Sequence, residues 1–173
     1  MQTEKVVEHI TKWLKDYQES SHAKGFTIGI SGGIDSAVVS TLCARTGAPT
    51  LVIEMPIRQS TGEMQRSQAH ANWLKSKFPN VTTAEVNLTE AFETFEKTFK
   101  KSEINESNTY TEVALANTRS RLRMVNLYYF ASLKGHLVAG TGNKVEDFGV
   151  GFYTKYGKDS SNRSSFFKDS FVR

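Results

Sequence analysis

The sequence predicts an α/β fold in which a parallel sheet of four or five strands carries helices on both faces. Two observations support this. Short apolar segments at residues 26–30, 50–55, 81–86 and 136–140 alternate with longer stretches whose apolar residues recur at helical spacing. The first apolar segment also runs straight into a glycine turn, Ser31-Gly32-Gly33-Ile34-Asp35-Ser36, that opens the next helix.

The elements follow in order. Val6, Val7, Ile10, Trp13, Leu14 and Tyr17 recur every three or four positions and predict a first helix over 3–19. The strand at 26–30 is followed by a helix over 36–45, stopped at Gly47. A second strand, 50–55, ends at Pro56, and a helix over 63–78 offers Met64, Ala71, Trp73 and Leu74 to the core. The third strand, 81–86, precedes a helix over 88–99 with Leu88, Ala91, Phe92, Phe95 and Phe99 on one side. Residues 102–108 read as a polar loop, and 111–133 as a long helix closed by Gly135. The fourth strand, 136–140, leads into a glycine-rich turn and a short helix near 143–148. Crossovers between these parallel strands are expected to be right-handed.

The pattern defines one domain over residues 1–157. Residues 158–173 hold five serines and three phenylalanines without a period, and are expected to form a disordered tail. Hydrophobic residues make up 38% and charged residues 23%, as in ordinary globular proteins. No apolar run approaches the roughly 18 residues that span a bilayer, so a cytoplasmic protein without a membrane segment is expected. The single Cys43 cannot form an internal disulfide, and its apolar surroundings suit a small buried side chain. The net charge of +4, from 22 basic and 18 acidic residues, is modest. Such an excess could suit nucleic acid, but a nucleotide site also needs positive charge near phosphates. Charge alone does not separate these readings, and nucleic acid is the less expected partner. His9, His22, His70 and His136 have neither metal-ligand spacing nor a catalytic neighbour, and His9 and His70 read as helix-surface residues.

The glycine turn carries the strongest chemical signal. Gly32 and Gly33 let the backbone turn sharply against a ligand, and the amides of such a loop combine with the following helix N-terminus to hold phosphate. Ser31 and Ser36 add hydroxyls. Asp35 would repel phosphate unless a cation lies between them, which implies magnesium. Neither a Walker lysine loop nor a Gly-x-Gly-x-x-Gly fingerprint is present after the first strand.

Ser-Gly-Gly-x-Asp-Ser resembles the signature of the N-type ATP pyrophosphatases, which transfer AMP onto a substrate oxygen before a nucleophile displaces it. The segment Gly140-Thr141-Gly142-Asn143-Lys144-Val145-Glu146-Asp147-Phe148-Gly149-Val150-Gly151-Phe152-Tyr153-Thr154-Lys155-Tyr156-Gly157 resembles the fourth-strand loop of ammonia-dependent NAD synthetases. The stretch Asn117-Thr118-Arg119-Ser120-Arg121-Leu122-Arg123-Met124 resembles the same family's preceding helix. The resemblance implies an adenine nucleotide alpha-hydrolase-like (Rossmann-like) fold. It also implies amidation of deamido-NAD by free ammonia, with ATP as co-substrate and Mg2+ as cofactor, in a homodimer. It assigns ATP binding to Gly29, Ile30, Ser31, Gly32, Gly33, Ile34, Asp35, Ser36, Met55, Arg58 and Thr141. Deamido-NAD falls to Arg121 and Lys155, and the metal to Asp35 and Glu146.

The residues bear on these assignments independently. Thr141 directly follows a strand, so its hydroxyl faces the crevice at the sheet's carboxyl edge. Glu146 comes near Asp35 if strands one and four are neighbours. Arg121 and Arg123 lie about 200° apart around a helix and cannot share a face. Many family members carry arginine where this chain has Glu54, and Arg58 is the available substitute. In the aromatic stretch 127–130, buried dimer contact and helix core are both open readings. After Gly157 the chain reads Lys158-Asp159-Ser160-Ser161-Asn162-Arg163, departing from the family's Asp-Gly-Gly loop and its later ATP-binding lysine and His-Lys pair. The expectation is a truncated, frame-disrupted or naturally short member lacking part of the active site. An ATP pyrophosphatase acting on tRNA and a nucleotide-binding remnant without activity are the alternatives.

Overall fold

The computed structural model describes residues 2–102 and 110–142. Its elements are α1 (Thr3–Ser20), β1 (Gly25–Ile30), α2 (Ile34–Arg45), β2 (Thr50–Glu54), α3 (Thr61–Lys77), β3 (Val81–Glu85), α4 (Thr89–Lys100), α5 (Thr111–Lys134) and β4 (His136–Val138). The four strands form one parallel sheet in the order β3-β2-β1-β4. The chain builds outward from β1 through β2 to β3, then returns to place β4 on the other side of β1. That reversal opens a crevice at the carboxyl ends of β1 and β4, the position where open α/β sheets bind ligands.

Side-chain alternation along the strands divides the core into two layers. Phe26, Ile28 and Ile30 of β1 and Val52 of β2 pack with Leu14, Cys43, Ala44, Ala71 and Leu74 from α1, α2 and α3. Leu51 and Ile53 point the other way, with Met55 just beyond the strand, and pack with Phe92 of α4 and Leu127 of α5. Phe92 is fully buried, and excluding such a ring from water contributes about 2–3 kcal/mol. Gly29 faces this second layer, where a Cβ would come within 2.6 Å of the Met55 methyl carbon and 3.5 Å of Leu127. The missing side chain lets α5 and the end of β2 close over the middle of β1.

Several boundaries differ from those the periodicity predicts. Helix α2 starts at Ile34 rather than 36, with Asp35 in its first turn. Helix α3 starts at Thr61 rather than 63, because Ser60 and Glu63 form a capping box: the Ser60 hydroxyl accepts from the Glu63 amide, and the Glu63 carboxylate accepts from the Ser60 amide. The pattern Ser60-Thr61-Gly62-Glu63 carries that signal in the sequence. Strand β4 ends at Val138, although the Ala139 amide still donates to the Thr27 carbonyl at 2.9 Å.

Some predicted core contacts are exposed. Val6, Ile10 and Trp13 of α1, Met64 and Trp73 of α3, and Phe95 and Phe99 of α4 lie at the surface, while Ala71 and Leu74 are buried. Periodicity identifies an apolar stripe but not whether a neighbouring element covers it. The stretch 127–130 divides in the same way: Leu127 is buried, Phe130 packs against the α5-side core, and Tyr129 is exposed. The short helix expected near 143–148 and the tail at 158–173 lie outside the described residues. No described helix is long and apolar enough to cross a membrane.

Candidate functional site

The glycine turn joins β1 to α2 at the crevice. Gly32 adopts φ +78°, a left-handed conformation that a β-carbon penalises. The following Gly33, extended at φ −91° and ψ 160°, serves as the N-cap of α2. The two serines brace the turn from inside. The Ser31 amide donates to Ser36 Oγ at 3.2 Å, the Ser36 hydroxyl donates to the Gly33 carbonyl at 3.0 Å, and the two hydroxyl oxygens lie 3.3 Å apart. Ser36 is buried, so its main role in the fold is to hold the turn in shape. From α3, Arg66 Nε reaches the Gly32 carbonyl at 3.4 Å. The turn therefore rests against the first turns of α3, whose own start is fixed by the capping box.

A cavity of about 260 Å³ opens in front of this turn. Gly29, Ile30, Ser31, Gly33, Asp35, Ser36, Met55 and Thr141 line it, joined by Gln59, Ser120 and Arg123. Thr141 is buried and follows β4, so pairing of β1 with β4 brings it opposite the turn. A second cavity, on the α3 side of the turn, is lined by Gly32 and Ile34 together with Arg66, Ser67 and His70. The sequence-assigned residues of the turn thus all border one cavity or the other. The α2 N-terminus, with its partial positive charge, and the Arg123 guanidinium make the region suitable for an anion.

Two cations assigned from the sequence, Arg58 and Arg121, are not among the residues lining these two cavities. Arg58 adopts φ +50°. Its guanidinium pairs with Glu93 at 3.2 Å and Glu96 at 2.9 Å and lies over the Phe92 ring. These carboxylates hold it firmly in its charged form. Arg121 is exposed on α5 and lines neither cavity. Arg123, two residues on, turns inward instead: its Nε donates to the Met55 carbonyl at 3.1 Å, tying α5 to the end of β2. Sequence reasoning does not assign Ser120 or Arg123, yet their spacing is informative. Ser120, Arg123 and the buried Leu127 fall at i, i+3 and i+7, one stripe of α5 facing the sheet. Glu146 and Lys155 lie outside the described residues.

Among the described residues, no group of three or more His, Cys, Asp and Glu side chains could hold a metal ion. Asp35 is the carboxylate lining the main cavity, beside the hydroxyls of Ser31 and Thr141. All three are hard oxygen donors. Such a set fits magnesium, which takes few protein ligands and keeps waters and phosphate oxygens. His70, expected at the helix surface, is half-buried: its Nε2 lies 2.9 Å from Ser40 Oγ, and its ring stacks on Trp73. Burial lowers its pKa below the usual histidine value, an effect only partly offset by the Ala37 backbone.

Residues 6–163 match the family model for NAD synthase. The chain belongs to the NAD synthase family. The NH(3)-dependent NAD(+) synthetase of Finegoldia magna is 35% identical over 159 residues, covering 91% of this chain and 61% of that protein. The enzyme of the same name from Carboxydothermus hydrogenoformans is 36% identical over 155 residues, covering 89% and 60%. The chain thus spans about three-fifths of the length of these relatives. Among solved structures, the NMN synthetase of Francisella tularensis superposes with a TM-score of 0.80 at 30% identity, over 91% of this chain and 61% of that one. The NH3-dependent NAD synthetase of Campylobacter jejuni superposes with a TM-score of 0.77 at 31% identity, over 91% and 64%. Membership of this family agrees with the adenine nucleotide alpha-hydrolase-like architecture expected from the glycine turn and the parallel sheet.

Proposed function

We propose that this chain takes part in the ATP- and ammonia-dependent amidation of deamido-NAD to NAD, releasing AMP and pyrophosphate. The observation that carries the proposal is the braced glycine turn at the β1–β4 crevice, with Asp35 and Thr141 lining the same cavity, in a member of the NAD synthase family. The turn and the α2 N-terminus bind the β- and γ-phosphates of ATP, and the nicotinate carboxylate attacks the α-phosphate. Pyrophosphate leaves, the mixed anhydride accepts ammonia at its carbonyl carbon, and AMP departs. Asp35, with Glu146, would hold a magnesium ion, which when bound would offset the negative charge of the departing pyrophosphate. Thr141 contributes a hydroxyl to the nucleotide, and Arg121 and Lys155 bind the dinucleotide. A cytoplasmic location belongs to the same proposal, with which the single, buried Cys43 is compatible.

A homodimer completes the proposal. Val125, Tyr129 and Leu133 present an exposed apolar face on α5, with Arg121 also at the surface of that helix. A partner helix packed there would bring Arg121 to a shared substrate site. The superposition on an NMN synthetase gives the acceptor a second candidate, the corresponding mononucleotide. Incubation of the chain with ATP, magnesium and ammonia, with either deamido-NAD or nicotinate mononucleotide, tests both. AMP formed only with deamido-NAD supports the proposal; AMP formed only with the mononucleotide reassigns the acceptor. Intact ATP binding with no AMP from either would refute catalysis by this chain.

A further inference from the structure

The cavity on the α3 side of the glycine turn, of about 270 Å³, shares Ile30, Gly33 and Ser36 with the main cavity, so the two meet at the start of α2. Asp35 lines the main cavity only, and no carboxylate lines the α3-side cavity. The polar groups that α3 contributes there are mostly committed. Ser67 Oγ donates to Glu54 Oε2 at 2.7 Å and lies 2.9 Å from the Met64 carbonyl, and His70 Nε2 is turned to Ser40. Arg66 differs. Its Nε donates to the Gly32 carbonyl at 3.4 Å, which sets the guanidinium against the turn and leaves its terminal amino groups to other acceptors.

Among the described residues, no carboxylate lies within ion-pair distance of Arg66, whereas Lys12, Arg58 and Lys100 each have one within 3.2 Å. The capping box explains the difference. Glu63, one helical turn earlier, is the neighbour that would ordinarily pair with Arg66. Its carboxylate instead turns back to the start of α3, accepting from the Ser60 amide at 3.3 Å and the Ser60 hydroxyl at 3.1 Å. The turn, for its part, lacks a cation: residues 31–36 contain neither lysine nor arginine, and Asp35 adds a negative charge. A strongly anionic ligand at this turn calls for a positive side chain from another element.

We propose that Arg66 is a phosphate-binding residue of this site, its terminal amino groups holding the terminal phosphate of ATP where the two cavities meet at Gly33 and Ser36. The inference rests on the reading that the turn holds the β- and γ-phosphates. The main cavity then takes the α-phosphate beside Thr141, and the distal end of the triphosphate comes up to Arg66. The same contact holds the far half of the pyrophosphate as it leaves. A planar guanidinium meets two phosphate oxygens at once, which an ammonium point charge does not.

Equilibrium binding of ATP, ADP, AMP and pyrophosphate to the full chain, in magnesium buffer, tests the assignment in the wild type, Arg66→Gln and Arg66→Lys. Arg66→Gln should weaken ATP and pyrophosphate by about tenfold, the effect of losing hydrogen bonds between charged groups, and leave AMP unchanged. ADP lacks the terminal phosphate, so the preference for ATP over ADP should shrink by about tenfold in the same variant. Arg66→Lys keeps the charge but loses the bidentate geometry, and should fall between. Added salt should narrow the gap between the wild type and Arg66→Gln. A residue that only props Gly32 would act on the whole turn and weaken ADP as much as ATP. Equal losses for the two nucleotides, or wild-type affinities in Arg66→Gln, therefore overturn the role of Arg66 while leaving phosphate binding at the turn intact. Circular dichroism checks that each variant is folded; should Arg66→Gln not fold, Arg66→Lys decides by the same ATP:ADP ratio. Failure of the wild type to bind ATP and pyrophosphate overturns the reading of the turn and this proposal with it.

Discussion

Gly32→Ala gives the sharpest test of how the glycine turn is built. Two penalties combine at this position. The φ of +78° costs a non-glycine residue about 1–2 kcal/mol. The new Cβ would also lie 2.8 Å from the Glu63 carbonyl oxygen and 3.4 Å from both Arg66 Cβ and the Ser67 amide nitrogen. The closest of these atoms belongs to the α3 backbone, which the Ser60–Glu63 capping box anchors, so it cannot swing aside as a side-chain tip could. Overpacking of this kind costs about 1–3 kcal/mol, for a total of about 2–5 kcal/mol. Gly47→Ala supplies the control. Gly47 has φ +80°, but a β-carbon there would meet no heavy atom within 4 Å, so only the backbone penalty of about 1–2 kcal/mol applies. Urea denaturation of both variants should show Gly32→Ala losing about 1–3 kcal/mol more than Gly47→Ala. ATP titration should show weakened binding for Gly32→Ala and wild-type binding for Gly47→Ala. Equal losses of stability, or undisturbed ATP binding by Gly32→Ala, would refute the claim that α3 supports the turn.

Three further outcomes follow from the geometry. Arg58→Ala should change ATP affinity by less than about twofold and stability by less than about 1 kcal/mol, since its ion pairs are exposed and lie away from the cavity; a tenfold weaker ATP titration would return Arg58 to the nucleotide site. Burial lowers the pKa of His70 and His136 in the fold, whereas the unfolded chain takes up protons near the ordinary value of 6.5, so stability should be complete above about pH 6.5 and fall as the pH drops through the depressed folded values. Urea midpoints measured from pH 7.5 to 5 should show that fall, and His70→Gln should flatten it; midpoints that rise on acidification would contradict the buried neutral state. Cys43 is fully buried, and its thiol is pushed up to about 12, so a disulfide exchange reagent should label it only at the rate of unfolding; immediate labelling of native protein would show that the α2 layer opens locally.

The order of elements and the glycine turn were legible in the chain because both depend on local chemistry. Alternating apolar runs report strands, 3.6-residue stripes report helices, and Ser31-Gly32-Gly33-Ile34-Asp35-Ser36 specifies a turn through the residues it contains. The placement of Thr141 also followed, since a residue just past a strand must lie at the sheet's carboxyl edge. What could not be read was which side chains meet across elements. Arg121 and Arg123 belong to the same motif, yet only the packing of α5, through Leu127, over Gly29 turns Arg123 toward the Met55 carbonyl and leaves Arg121 outside the cavity. Arg58 follows directly on the β2 turn, but the carboxylates of α4, more than thirty positions away, decide its direction. By itself, then, the sequence determined a parallel α/β sheet and the glycine turn at its edge, because each is encoded within a few consecutive residues. Only the tertiary structure decided which cations line the cavity and that Ser67 fixes the Glu54 carboxylate, because those depend on long-range contacts that periodicity does not carry.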